Sequence, residues 1–267
     1  MATASSDDSA RGEARGTSVI VNAIAVLRCF SLDEPLLGVT EIAARIGLHK
    51  STVSRMLATL EAENLVQRDS ETRRYTLGLG LIALAGPLLA DLEERRVAYP
   101  VLRELTERTG ETSALMVWDN NESMCVEQIA SRHQVKHTTP LGTRYHDAMS
   151  SSIQVFLASE PAERARALLT SGSITFPGMD HAGLEAYLVR LKDASVRGYA
   201  TNYGETSLDE ASVAAPVYDH RGNVVAAVLI PAPRFRVSSD LLSTLGEACA
   251  DAARKITSRL GGTTPEG

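Results

Sequence analysis

A chain of 267 residues, 44% hydrophobic and 22% charged, has the apolar content for buried cores. That balance excludes wholesale disorder, collagen-like repeats and coiled coil, and the length favours two domains. The formal charge of −6 argues against a nucleic-acid partner only until it is apportioned: residues 18–77 hold seven basic and seven acidic side chains. Five of those cations, Lys50, Arg55, Arg68, Arg73 and Arg74, are concentrated in the second half of that segment. Charges are screened beyond about 10 Å, so a local basic surface on an acidic chain suffices for phosphate contact.

Residues 1–17, rich in Ser, Ala, Asp, Arg and Gly, lack the apolar stretch of a signal peptide and read as a disordered tail. Helical spacing of Val19, Ala23, Val26, Leu27 and Phe30 predicts a first helix, broken by Asp33 and Pro35. Thr40 offers an N-cap for a short helix, Glu41 to Ile46, stopped by Gly47. A turn then leads to a helix from Lys50 to Glu63, with Val53, Met56, Leu57 and Leu60 inward and Lys50, Ser51, Ser54 and Arg55 outward. Two helices about a Gly-containing turn fit either a helix-turn-helix or an ordinary α-hairpin. The short strand Leu65–Gln67, the polar turn and the strand Arg74–Leu77 decide for the former, because a basic hairpin after the second helix is a wing.

Residues 78–96 read as a mainly helical linker, kinked or ended by Pro87 and apolar enough (Leu79, Ile82, Leu88, Leu89, Leu92) to pair with a second copy. Its weakly polar run is broken by Gly78, Gly80, Gly86 and Pro87, and falls short of the roughly 20 apolar residues that cross a membrane. Residues 97–262 read as a second, α+β domain with an antiparallel sheet. Pro100 suits the first turn of a helix ended by Gly110. Thr112–Asp119 and Ser123–Ile129 form a hairpin about Asn120-Asn121, and Gln134–Thr139 is a third extended piece. Ser150–Ala158, Ala162–Leu169 and Leu184–Ser195 are helical; Val213–Tyr218 and Val224–Ile230 are strands; Leu241–Leu260 is the last helix, before a tail at 263–267.

The chain resembles the isocitrate-lyase-regulator (IclR) family of bacterial transcription factors. The resemblance rests on Val39-Thr40-Glu41-Ile42-Ala43, on Gly47-Leu48-His49-Lys50-Ser51-Thr52-Val53-Ser54-Arg55-Met56-Leu57, and on Arg74-Tyr75-Thr76-Leu77-Gly78. It continues through Thr109-Gly110-Glu111-Thr112, Arg197-Gly198-Tyr199-Ala200 and Ala214-Ala215-Pro216-Val217-Tyr218-Asp219. It implies an N-terminal winged helix-turn-helix, a dimerising linker helix and a C-terminal GAF-like effector-binding domain. It also implies a homodimer or homotetramer on palindromic double-stranded operator DNA, and a repressor, with an activator of the same fold as the alternative.

At the DNA end, Lys50 and Arg55 are assigned to phosphate or guanine, Ser51, Thr52 and Ser54 to base edges or phosphate oxygens, and Arg73 and Arg74 to the wing's contacts. His49 stands where the family usually has proline. At the effector end, Ser150-Ser151-Ser152 before an apolar helix suits N-cap and turn duty, and equally an anion held on helix-start amides. The resemblance implies that the amides of Ser151 and Ser152 hold a carboxylate, that Asn202 and Ser212 add side-chain contacts, and that Gln134, His137 and Tyr145 form the wall.

The departures from the family are Ala148 for its usual histidine (His146 lies two residues earlier), Ile153-Gln154 for Gly-Lys, Asn202 for an acid, and Leu229 and Pro231 for possible serines. A pocket so changed fits an effector larger and less polar than a short keto acid: an aromatic acid, or a related amide or hydrazide.

An enzyme would have to use Cys125 with His133 or His137, or Ser150 with His146. Cys125 falls in an apolar strand, and the His133/His137 spacing lies in extended chain, where it cannot make a helical metal site. Three scattered cysteines, Cys29, Cys125 and Cys249, form neither a metal spacing nor a disulfide framework, as expected in a reducing cytoplasm. The expectation is a regulator without catalytic activity, metal or cofactor.

Overall fold

The computed structural model describes residues 19–31, 33–177 and 180–263, so the expected N-terminal tail, and the C-terminal one beyond residue 263, lie outside the described residues. The chain divides into two compact units at Asp91/Leu92.

In the first unit, residues 19–28 are helical (α1), followed by α2 (Val39–Ile46) and α3 (Lys50–Ala62). The N-cap of α2 is Gly38 rather than Thr40: the Glu41 carboxylate reaches back and accepts the Gly38 N–H at 2.7 Å, satisfying one of the donors a helix start leaves free. Gly47 ends α2 in the left-handed conformation (φ 67°) that glycine adopts without strain. Val53, Leu57 and Leu60 of α3 pack with Ile42 and Ala43 of α2, Val26 and Phe30. The wing strands β1 (Val66–Arg68) and β2 (Tyr75–Leu77) pair antiparallel, and Tyr75 bridges on its other side to Leu37. Gly78 returns so close to the chain that a Cβ there would sit 2.1 Å from the Asn64 carbonyl oxygen.

The expected single linker is two helices, α4 (Gly80–Asp91) and α5 (Glu93–Thr109), interrupted at Leu92. Pro87 lies inside α4 and does not end it. Pro100, expected in a first turn, sits in the interior of α5, because Glu93 to Arg96 extend that helix upstream. Acidic Glu93 and Glu94 at its start and Arg108 in its last turn complement the helix dipole.

The second unit carries a six-stranded sheet of order β5-β4-β3-β8-β7-β6, with every neighbouring pair antiparallel. Its strands are β3 (Ser113–Asp119), β4 (Glu122–Ile129), β5 (Arg144–Tyr145), β6 (Ala200–Tyr203), β7 (Glu210–Tyr218) and β8 (Val224–Pro233). Asn120 and Asn121 turn the first hairpin with φ of 49° and 77°, the paired left-handed values that a two-residue loop needs. The extended piece expected at residues 134–139 is a loop, and the edge strand is the two-residue β5. The remaining helices are α6 (Ser151–Ser159), α7 (Ala162–Thr170), α8 (His181–Arg197) and α9 (Ser239–Arg259).

Strand alternation divides the cores. Val213, Ala215 and Val217 of β7 pack with Leu102 and Leu105 of α5 and Cys249 and Ile256 of α9. Ala214, Ala227 and Leu229 turn to the opposite face, against Val155 and Phe156 of α6 and Ala194 of α8. The result is an α+β unit whose sheet lies between two helical layers.

Candidate functional site

In the first unit the inward stripe of α3 fixes its outward face. Lys50, Ser51, Ser54 and Arg55 are exposed, and Thr52 is half-buried beside Val53. His49 is the exposed N-cap of this helix and makes no side-chain capping bond; the Thr52 N–H donates to the His49 carbonyl at 3.0 Å, and no side chain caps the Lys50 and Ser51 N–H groups before it. An exposed helix start bearing one lysine, one arginine and short hydroxyls is the surface that a major groove accepts.

The two wing arginines differ. Arg73 is exposed at the turn, with φ of 61°, while Asp69 braces that turn by accepting both the Thr72 N–H and hydroxyl at 2.7 Å. Arg74 pairs with Glu41 and donates to the Leu36 carbonyl at 3.3 Å, so its guanidinium holds the wing to α2 and is not free for phosphate. The Gly38 N–H, with the charges of Arg74 and Arg45, holds the Glu41 carboxyl below its ordinary range.

In the second unit the candidate effector residues share the α6 face of the sheet. Asn202 pairs with Ser212, and Ser212 with Pro231, which sets these three in one row across β6, β7 and β8. Leu229 lies two residues along β8, opposite Ala114. The start of α6 meets this row: the hydroxyls of Ser151 and Ser212 are 2.9 Å apart, and both are buried. Ser150 is the N-cap but no side chain caps the helix, which leaves the Ser151 and Ser152 amides aimed outward from a buried helix start. Tyr145 reaches the same region, its hydroxyl 3.3 Å from that of Thr139, and burial raises its pKa.

Three expected contacts are otherwise placed. Asn202 is buried and spent on its own loop: its Oδ1 accepts the Glu205 N–H at 3.0 Å and its Nδ2 donates to Thr206 at 2.6 Å. His137 sits at the rim, its Nε2 3.2 Å from the Asp209 carbonyl oxygen. Gln134 is exposed in the loop before it.

Sequence reasoning missed the polar network behind the row. Buried Gln154 donates to the carbonyls of Met149 and Thr201 at 2.9 Å each and accepts from Arg190 at 3.1 Å. Arg190 in turn grips Glu205 at 2.5 and 2.7 Å and the Thr201 carbonyl at 2.7 Å. This network fastens the β6–β7 loop to α6 and α8.

The nucleophiles considered from sequence are not assembled. Cys125 is buried, donates to the carbonyls of Thr139 (2.9 Å) and Glu127 (3.3 Å), and is pushed up to about 12 by desolvation. His133 is exposed; Ser150 is buried with its hydroxyl 3.2 Å from Ser152, while His146 is exposed. Among the described residues no group of three or more His, Cys, Asp or Glu could hold a metal, and no helix is long and apolar enough to cross a membrane.

Comparison with known proteins gives two family matches: the IclR helix-turn-helix domain over residues 19–70, and the bacterial transcriptional regulator IclR C-terminal domain over residues 88–258. The HTH-type transcriptional regulator KipR of Bacillus subtilis is 33% identical, the alignment covering 91% of this chain and 97% of that protein. The HTH-type transcriptional repressor AllR of Escherichia coli K12 is 27% identical over 92% of each. A solved domain of an IclR-family regulator is 72% identical (TM-score 0.63), covering 65% of this chain and 99% of that one. An IclR homologue from Microbacterium hydrocarbonoxydans, crystallised with 4-hydroxybenzoate, is 24% identical with a TM-score of 0.74 over 91% of this chain and 98% of its own.

A winged helix-turn-helix with a cationic outward helix, followed by a separate α+β unit, makes this a DNA-binding transcriptional regulator rather than an enzyme. The chain belongs to the IclR family.

Proposed function

We propose that the chain is a ligand-responsive repressor of a catabolic operon, released from or set upon palindromic operator DNA by a small aromatic acid or a related amide or hydrazide. The observation that carries the DNA half is the outward face of α3, where Lys50, Ser51, Ser54 and Arg55 stand free of the core while Val53, Leu57 and Leu60 are buried. Seated in a major groove, Arg55 and Lys50 meet guanine or phosphate, Ser51, Thr52 and Ser54 meet base edges or phosphate oxygens, and Arg73 carries the wing's contact. The repressor name of the AllR relative supports the sign.

The α6 start supports the effector half: buried, uncapped amides at Ser151 and Ser152 suit a carboxylate. The Ser212 hydroxyl stands beside them, Leu229 and Pro231 give an apolar floor, and Tyr145 and His137 close the side. The 4-hydroxybenzoate held by the Microbacterium neighbour supports an aromatic ligand. Helix α4 supports self-association: none of its residues is buried, and Leu79 just before it, with Ile82, Leu84 and Leu88, is exposed, an apolar surface that a second copy covers.

Arg55→Ala should weaken operator binding by about 1–3 kcal/mol per half-site; unchanged affinity in a gel-shift titration removes Arg55 from the interface. Calorimetry that finds tight glyoxylate or pyruvate binding and none to benzoate contradicts the aromatic reading.

A further inference from the structure

A cavity lies at the far end of α6 from Ser151, lined by other residues than the candidate effector site. It is a half-open cleft of about 420 Å³ over the β7–β8 hairpin, within the range of small-molecule sites. Its wall is aromatic: Trp118 stacks on Phe156 with ring centroids 5.0 Å apart, and Pro216 and Tyr218 face the same space.

The electrostatics are the reverse of those at the Ser151 end. Ala158 and Ser159 close α6, and Ala194 and Ser195 lie in the last turns of α8, so two helices bring their negative ends to this cavity. Glu160, the C-cap of α6, adds a carboxylate to the lining. Arg164 pairs with its Oε2 at 3.0 Å. Two cations stand behind the lining and not in it: Arg164 on Glu160, and Arg197, whose guanidinium covers the ring of the lining residue Tyr199 at 4.5 Å. Aromatic faces attract cations, and a carboxylate with two helix C-termini adds to that field.

We propose that this cavity is a second ligand site, selective for a small organic amine carrying an apolar or aromatic body. The ammonium meets the Glu160 carboxylate and the end of α6, and the body packs on the Trp118–Phe156 stack. One helix then serves two ligands of opposite charge, an anion at its first turn and a cation at its last.

The test is calorimetry on the full chain with 2-phenylethylamine, against 2-phenylethanol as a neutral body of the same shape. The amine should bind about tenfold more tightly than the alcohol. Glu160→Gln should erase that preference, and Trp118→Phe should keep it. Failure of the amine to bind, equal affinity for amine and alcohol, or an undiminished preference in Glu160→Gln overturns the proposal. So does displacement of the amine by benzoate, which would put it at the Ser151 end instead.

Discussion

Arg74 and Glu41 are 33 positions apart in the chain, and their side chains form an ion pair that joins the wing to the first turn of α2. The same carboxylate caps the Gly38 N–H, so one residue secures both a helix start and the β2 strand.

That double duty separates two neighbouring arginines. Arg74→Ala should lower the melting temperature of the DNA-binding unit, because it frees Glu41 and the Leu36 carbonyl together. Arg73→Ala should leave melting unchanged and weaken operator binding, with a reduced salt slope. Thermal melts and gel shifts on the two variants check this; the same outcome for both refutes the division.

Acid should act on the same pair. A carboxyl depressed in the folded state contributes stability that is present above its unfolded pKa and lost as pH falls through its folded pKa. The Glu41 carboxyl is lowered, first by the Gly38 N–H and then by Arg74 and Arg45. Urea midpoints of the wild type should therefore fall faster than those of Glu41→Gln from about pH 5 to about pH 3.

Gln154 offers a test in the second unit. Its amide makes three hydrogen bonds from a site that is 1% exposed. Gln154→Met keeps the volume but removes the partner of the Met149 carbonyl and of the Arg190 Nε–H, at a cost of about 1–3 kcal/mol in urea unfolding. A neutral result would mean that Arg190 alone holds the β6–β7 loop.

Thiol chemistry should follow burial. Desolvation raises the pKa of all three thiols, but Cys125 and Cys249 are buried whereas Cys29 is only partly buried and has Arg45 lowering its pKa in opposition. An aromatic disulfide reagent at about pH 8 should modify Cys29 in the native protein and reach the other two only on unfolding. Fast native reaction at Cys125 would contradict its place in the sheet.

The winged-helix unit was legible because every signal in it is local. The apolar stripes of α2 and α3, Gly47 at a helix end and the alternation of Tyr75 to Leu77 all survive folding unchanged. Strand β6 escaped, since Ala200-Thr201-Asn202-Tyr203 shows little alternation and gains its strand character from pairing with Ala211 to Ala214. The start of α5 escaped because a proline reads as a first-turn residue, while Pro100 sits well inside the helix. Asn202 carries the plainest lesson: its carboxamide is consumed by Glu205 and Thr206, three and four residues on, a competition that only the folded loop reveals.

The large sheet ends on β5, two residues long, and on β6, four residues long. Outer strands this short offer an incoming polypeptide little of their own main chain to extend. The self-association proposed for α4 would therefore rest on helix side chains and not on extension of the sheet.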